Sequence, residues 1–241
     1  MKEARGISAC SILGETQDDD GFLTLTEKVY RTLREEITSG ELKPGTRLVR
    51  RSVSKRLGVS PIPVTEALYR LEQDGLVDSE AKYGSRVRVW TLDALRNEQV
   101  LREALECQAA RLCAEKATDA QLSEFAGQAK RLDALMEKLD PVSTEGMKAH
   151  LELHVSIARI TGYELIEREI RRVWLRWLVR WNWISAALHP VPPDWHQQLI
   201  AAIATRDGSK ASEKMRDHVR RNQEHDLELL RELQQKESVT R

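Results

Sequence analysis

Two sets of side chains in this 241-residue chain have the types and spacing to do chemistry. The first is histidine. Of six histidines, His150 and His154 stand four residues apart. On a helix that spacing brings both imidazoles to one face, as two ligands of one metal require. His196 opens a later helical segment and His218 lies inside the last one. Helices that meet in a bundle interior commonly build metal sites from such facing residues. From spacing alone, core or surface histidines are an equally open reading. His189, beside Pro190, and His225 read as surface residues. The second set is basic. Lys43, Arg47, Arg50, Arg51, Lys55 and Arg56 occur with no acidic residue between Lys43 and Val64. A phosphate backbone rewards such clustering, and a solvated helix face is the plainer alternative.

The whole chain balances 38 basic against 38 acidic side chains, which at first argues against a nucleic-acid partner. The balance is uneven along the sequence. Residues 1–22 carry net −3, residues 23–90 carry net +4 with thirteen basic and nine acidic groups, and residues 91–241 carry net −1. Zero net charge is therefore compatible with one basic domain in an otherwise neutral protein. Hydrophobic residues make up 41% of the chain, enough for a real core, and no apolar run approaches the ~20 residues of a membrane span. Cys10, Cys107 and Cys113 lack C-x-x-C spacing, and no apolar stretch follows the first residues. A cytoplasmic protein with reduced thiols is expected.

The elements that must position these groups follow from periodicity. Val29, Leu33 and Ile37 mark a helix that ends at Ser39-Gly40. A short helix is predicted over Ser52–Leu57, ended by Gly58. Ser60 is predicted to cap a further helix with Pro61 at its first position and Val64, Leu68 and Leu71 on its apolar stripe. Leu76–Asp78 and Arg86–Trp90 read as strands around a Lys82-Tyr83-Gly84 turn. Helix, helix, turn, helix and hairpin in under 70 residues is a winged helix-turn-helix, whose last helix reads base edges in the major groove. From Thr91 the chain reads as about six helices. The first is Leu95–Ala117, with Val100, Leu101, Ala104, Leu105 and Leu112 expected on its inner side, and the second is capped by Thr118. The predicted fold is thus mainly α. A tail over 1–22 precedes a winged helix-turn-helix over 23–90, an antiparallel helical bundle over 91–236 and a short tail over 237–241.

At this point three stretches resemble the DNA-binding domain of the GntR family of bacterial transcription regulators. They are Leu42-Lys-Pro-Gly-Thr-Arg-Leu48, Leu57-Gly-Val-Ser-Pro-Ile-Pro-Val-Thr-Glu-Ala-Leu68 and Leu71-Glu-Gln-Asp-Gly-Leu-Val77. The helical remainder, with Arg102-Glu-Ala-Leu-Glu106 and Ala109-Ala110-Arg-Leu112, resembles the FCD ligand-binding domain of the FadR subfamily. Six helices place it nearer the shorter, VanR-like branch. The resemblance implies a homodimer that binds an operator in double-stranded DNA, a small carboxylate metabolite as effector, and no membrane. Arg51 matches a DNA-contacting arginine of the family. Two arginines usual at the start of the recognition helix are here Pro61 and Thr65. Thr cannot fork onto guanine and Pro has no side-chain donor, so the family's usual operator does not carry over. The candidate DNA-contacting residues are Arg47, Arg50, Arg51, Lys55, Ser60, Ile62, Thr65, Arg70, Lys82 and Gly84.

The resemblance also bears on the histidines. Many FCD domains hold a metal through an Asp, a His four residues on, and two more His on the last two helices. His154-Val-Ser-Ile157, His196-Gln-Gln-Leu-Ile-Ala-Ala-Ile203 and Met215-Arg-Asp-His218 match the three histidines, and His150 stands at the aspartate's position. The implied set is His150, His154, His196 and His218, which suits a divalent transition metal, zinc or nickel, rather than calcium or magnesium. Arg102 matches a position that often faces the effector, where it would grip a carboxylate; an i+4 pair with Glu106 is the equal alternative. Trp174, Trp177 and Trp181 form a stripe that reads as core or dimer interface, with the wall of an effector pocket as the minority reading. A metal-dependent enzyme and a purely structural metal are the competing functions. Against an enzyme, the sequence has no H-E-x-x-H, no P-loop and no ordered triad.

Overall fold

The computed structural model describes residues 23–80, 84–138, 144–184, 192–221 and 231. Lys82, His189, His225 and the tails expected over 1–22 and 237–241 lie outside the described residues. The chain divides into two compact units. One ends at Trp90 and also takes in Leu175–Trp183; the other begins at Thr91 and contains the remainder.

In the first unit, α1 (Leu25–Thr38) starts where the Thr24 hydroxyl accepts from the Glu27 amide, and it buries Val29, Leu33 and Ile37. A two-residue strand, β1 (Arg47–Leu48), leads into α2 (Arg50–Leu57). Gly58 closes α2 with φ +65°, a left-handed conformation that only glycine adopts without steric cost. Then comes α3 (Pro61–Gln73), whose buried face is Pro63, Val64, Ala67, Leu68 and Leu71. The hairpin of β2 (Val77–Glu80) and β3 (Gly84–Val87) follows, with Gly84 at φ +74°. The sheet is antiparallel in the order β1-β3-β2, with Arg47 opposite Arg86 and Val77 opposite Val87. Leu33, Ile37, Val64, Leu71, Leu76 and Val87 form the centre of this unit's core.

Several expectations shift here. The α2 helix begins at Arg50, two residues before the predicted start, so Arg50 and Arg51 form its first turn. Ser60 occupies the N-cap of α3 but makes no side-chain capping bond, because its extended backbone and Pro61 already set the entry. The second hairpin strand is Gly84–Val87 rather than Arg86–Trp90. Strand β1 is absent from the sequence reading, since two residues show no periodicity.

The second unit contains α4 (Leu92–Lys116), α5 (Asp119–Lys138), α6 (Thr144–Ile160), α8 (Trp195–Ala204), α9 (Gly208–Arg220) and the first half of α7 (Glu164–Ile184). Six helices were predicted after Thr91, and six are described. Thr118 and Gln121 cap α5 reciprocally: the Thr118 amide donates to Gln121 Oε1 at 2.9 Å, and the Gln121 amide to Thr118 Oγ1 at 3.3 Å. Asp207 caps α9 by accepting from the amides of Ser209 and Lys210. Between α8 and α9, Arg206 adopts φ +62°, and its guanidinium reaches the Ala117 carbonyl and Asp119 at the start of α5. No helix among the described residues is long and apolar enough to cross a membrane.

One face is reversed from its expected sense. Val100 (68% exposed) and Leu101 (42%) on α4 point outward, while Glu98, Gln99, Arg102 and Glu106 are buried. Polar residues take the inner side because buried polar partners wait for them there.

Candidate metal centre and nucleic-acid interface

The interior of the second unit holds an unusual density of buried polar groups: Arg102, Glu106, Asp133, His154, His196 and His218 are all under 9% exposed, with His150 half-buried. Each is placed by helical phase. On α6, His150 and His154 sit one turn apart on the same face. On α8, His196 shares the buried stripe of Leu199, Ile200 and Ile203. On α9, His218 shares that of Ala211 and Met215. The three helices bring four imidazoles together.

The geometry is that of a ligand set. His154 Nε2 lies 3.1 Å from His150 Nε2 and 3.2 Å from His218 Nε2, and His150 Nε2 lies 3.4 Å from His218 Nε2. Ring nitrogens of His150, His196 and His218 all fall within 4.8 Å of one another. Nitrogens bound tetrahedrally at about 2.0–2.1 Å from a metal lie roughly 3.3 Å apart. His196 Nε2 is buried and has no hydrogen-bond partner among the described residues. A buried nitrogen without a partner is costly unless something else completes its coordination.

Two carboxylates fix the outer nitrogens. Glu106 on α4 accepts from His154 Nδ1, and its other oxygen accepts from Arg102 Nε at 2.7 Å. Asp133 on α5 accepts from His196 Nδ1 at 2.6 Å, from the amides of His196 and Gln197, and from Gln197 Nε2. Nδ1–H donation leaves Nε2 as a lone pair aimed into the cluster, the arrangement by which carboxylates orient metal-binding histidines. The electrostatics agree. Burial, reinforced by the neighbouring imidazoles and Arg102, pushes the pKa of His150 and His218 well below the usual histidine value, so both stay neutral at pH 7. Burial also pushes His154 down, against the pull of Glu106. Burial pushes the Glu106 carboxyl up, but His154 and Arg102 outweigh it and hold the acid ionised. Neutral imidazoles backed by anionic carboxylates are a donor set for a first-row divalent metal.

Trp174 on α7 closes one side, its ring 4.9 Å from His150 and 4.8 Å from His154, with the Arg102 guanidinium 4.5 Å over it. Arg102 therefore makes the predicted pair with Glu106 and also borders the histidines. Trp177 is buried as well, while the Trp181 side chain lies outside the described residues. Sequence reasoning missed Glu106 and Asp133 as partners of the histidines. One signal was available for Asp133. It is an acid on the stripe of Leu122, Phe125, Ala129 and Leu132, a position whose side chain must be buried.

The basic cluster is arranged in the opposite way. Arg47 on β1 and Arg50, Arg51 and Lys55 on α2 are exposed, and their side chains have no hydrogen bond or ion pair among the described residues. Arg56 is instead engaged by Glu36, with Nη2 to Oε2 at 2.7 Å. On α3, Ile62 is 69% exposed. Thr65 is exposed, and its hydroxyl donates to the Pro61 carbonyl at 3.0 Å. Arg70 pairs with Glu27 at 2.6 Å and lies 4.0 Å over the Tyr30 ring, so it ties α3 to α1.

Comparison with known proteins places this architecture. Residues 25–87 match the family model of bacterial regulatory proteins of the gntR family, and residues 99–221 match the FCD domain. The chain is 27% identical over 208 residues to the HTH-type transcriptional repressor RspR of Escherichia coli K12, covering 81% of this chain and 86% of that one. It is 26% identical over 202 residues to the HTH-type transcriptional regulator McbR of the same organism, covering 77% and 85%. The fold is shared with the E. coli McbR/YncC structure, at TM-score 0.67 and 23% identity over 86% of this chain and 99% of that one. It is also shared with a putative GntR regulator from Rhodococcus sp. RHA1, at TM-score 0.63 and 23% identity over 84% and 97%. The chain belongs to the GntR family and carries an FCD domain. It is a DNA-binding transcriptional regulator, not an enzyme.

Proposed function

We propose that this regulator is an effector-responsive repressor whose helical domain binds a divalent transition metal, zinc or nickel, through His150, His154, His196 and His218. The observation that carries the reading is the convergence of four neutral imidazoles on one buried point with a partnerless nitrogen among them. When bound, the metal supplies a Lewis-acidic centre that accepts an anionic oxygen from a small carboxylate metabolite. Glu106 and Asp133 hold the ring orientations, and Arg102 adds positive charge beside the cluster. Repression is supported by the RspR relative, whose name describes a repressor. The cytoplasm is the compartment such a function requires.

The regulator acts as a homodimer. The exposed Val100 and Leu101 on α4 supply apolar surface for a second copy. Two recognition helices then meet half-sites about one DNA turn apart. Arg47, Arg50, Arg51 and Lys55 bind phosphates, while Ser60, Ile62 and Thr65 face the bases; Gly84, and with it Lys82, forms the wing tip. Elemental analysis of the full-length protein, paired with operator-binding curves across a panel of carboxylate metabolites, tests this. About one metal per chain and an affinity shift with one metabolite are expected. Metal without any metabolite effect would leave a structural metal. No metal, and no stabilisation on adding zinc or nickel, would overturn the centre.

A further inference from the structure

The exposed face of α3 is nearly devoid of the groups that read guanine or adenine. Its outward residues are Pro61, Ile62, Thr65, Glu66, Tyr69, Arg70 and Gln73. Guanine is read by arginine or lysine and adenine by asparagine or glutamine, through forked hydrogen bonds in the major groove. The first two turns, which lie deepest in the groove in this fold, contain none of these. Arg70 comes later and is occupied by Glu27 and Tyr30. Glu66 accepts from the Thr26 hydroxyl at 2.6 Å. Thr65 gives its hydroxyl proton to the Pro61 carbonyl, so that hydroxyl does not donate outward. What remains at the tip is hydrocarbon: the Ile62 side chain, and one turn further the Thr65 methyl.

Exposed isoleucine at this position has no structural account. Pro63 and Val64 already supply the buried face of the same turn, and Ile62 takes no part in the core. The one apolar group that base pairs display in the major groove is the thymine C5 methyl. We propose that the recognition helix reads thymine methyl groups through Ile62, assisted by Thr65, so that each operator half-site carries a T·A pair where its relatives would place guanine. Affinity comes from the unpaired cations of α2 and β1 on the phosphates, and sequence preference from apolar contact. The inference rests on α3 being the DNA-reading helix.

The test uses the full-length protein and duplexes recovered by repeated selection from random double-stranded DNA. Each thymine of a half-site is replaced in turn by deoxyuridine, which lacks only the methyl, and each guanine by 7-deazaguanine, which lacks N7. One or two deoxyuridine positions should weaken binding roughly three- to fivefold, the scale of one buried methyl. Ile62→Ala should bind the thymine and uracil duplexes equally, and Ile62→Val should keep a reduced preference. Because Ile62 is exposed, both variants keep the fold, checked by thermal melts. Deoxyuridine without effect, or sensitivity that persists in Ile62→Ala, overturns the proposal. So does a loss confined to the 7-deazaguanine positions. Failure to select any sequence would instead sink the assignment of α3 as the reading helix.

Discussion

The histidine cluster and the basic face of the winged unit are both concentrations of polar chemistry, and they are arranged oppositely. In the cluster, nearly every polar atom is answered from within: His154 by Glu106, His196 by Asp133 and Gln197, Arg102 by Glu106. On the basic face, Arg47, Arg50, Arg51 and Lys55 have no partner among the described residues, and none is enclosed. Burial explains the contrast. An unanswered polar atom costs little in water and roughly 1–3 kcal/mol inside, so interior sites record their ligand as an orphan nitrogen. Surface sites record theirs only as an excess of charge. The partner of the first is a small ion held at fixed distance; that of the second is a polyanion met through long, mobile side chains.

This contrast can be broken at several points. The largest effect is expected from His218→Ala, which removes one of the three mutually close nitrogens. Metal content should fall from about one per chain to near zero, and the rise in melting temperature on adding zinc should vanish, both read by elemental analysis and calorimetry. Asp133→Asn keeps the shape but weakens the hold on His196. Metal affinity should drop about 10–100-fold in a competition titration, with the fold intact by circular dichroism. The double variant Arg50→Ala, Arg51→Ala should lower DNA affinity and reduce the slope of log K against log salt by about 2. Metal content should not change, and a change would mean the two chemistries are not separable. The smallest effect belongs to Arg70→Ala. Its exposed pair with Glu27 contributes about 0.2–1 kcal/mol, so the melting temperature should fall slightly while the salt slope stays constant. A slope reduced by about 1 would return Arg70 to the phosphate-binding set.

Local signals made much of this legible. Gly58, Pro61 and Gly84 act through their own backbones, so the turn, the start of α3 and the hairpin are readable from a few adjacent letters. The i, i+4 pair on α6 is equally local. Asp133 and Glu106 are not, because they meet histidines 63 and 48 residues away through packing that no short pattern encodes. The outward turn of Val100 and Leu101 was concealed for a related reason. Apolar periodicity assigns the inner face to hydrocarbon, and here Glu106 and Arg102 claim it, because the histidines need them. Ser60 carries a further lesson: a good capping residue leaves its bond unmade when proline has already set the geometry.

Arg206 has a consequence for how this protein can vary. Its left-handed backbone costs about 1–2 kcal/mol for a residue with a side chain, a cost glycine avoids. Its guanidinium meanwhile fastens the hairpin of α8 and α9 to the start of α5. Arg206→Gly exchanges one for the other, whereas Arg206→Ala keeps the strain and loses the clamp. That hairpin delivers two of the four histidines. A lineage can thus loosen or tighten its hold on a metal from position 206, on the rim of the bundle, leaving every coordinating side chain untouched.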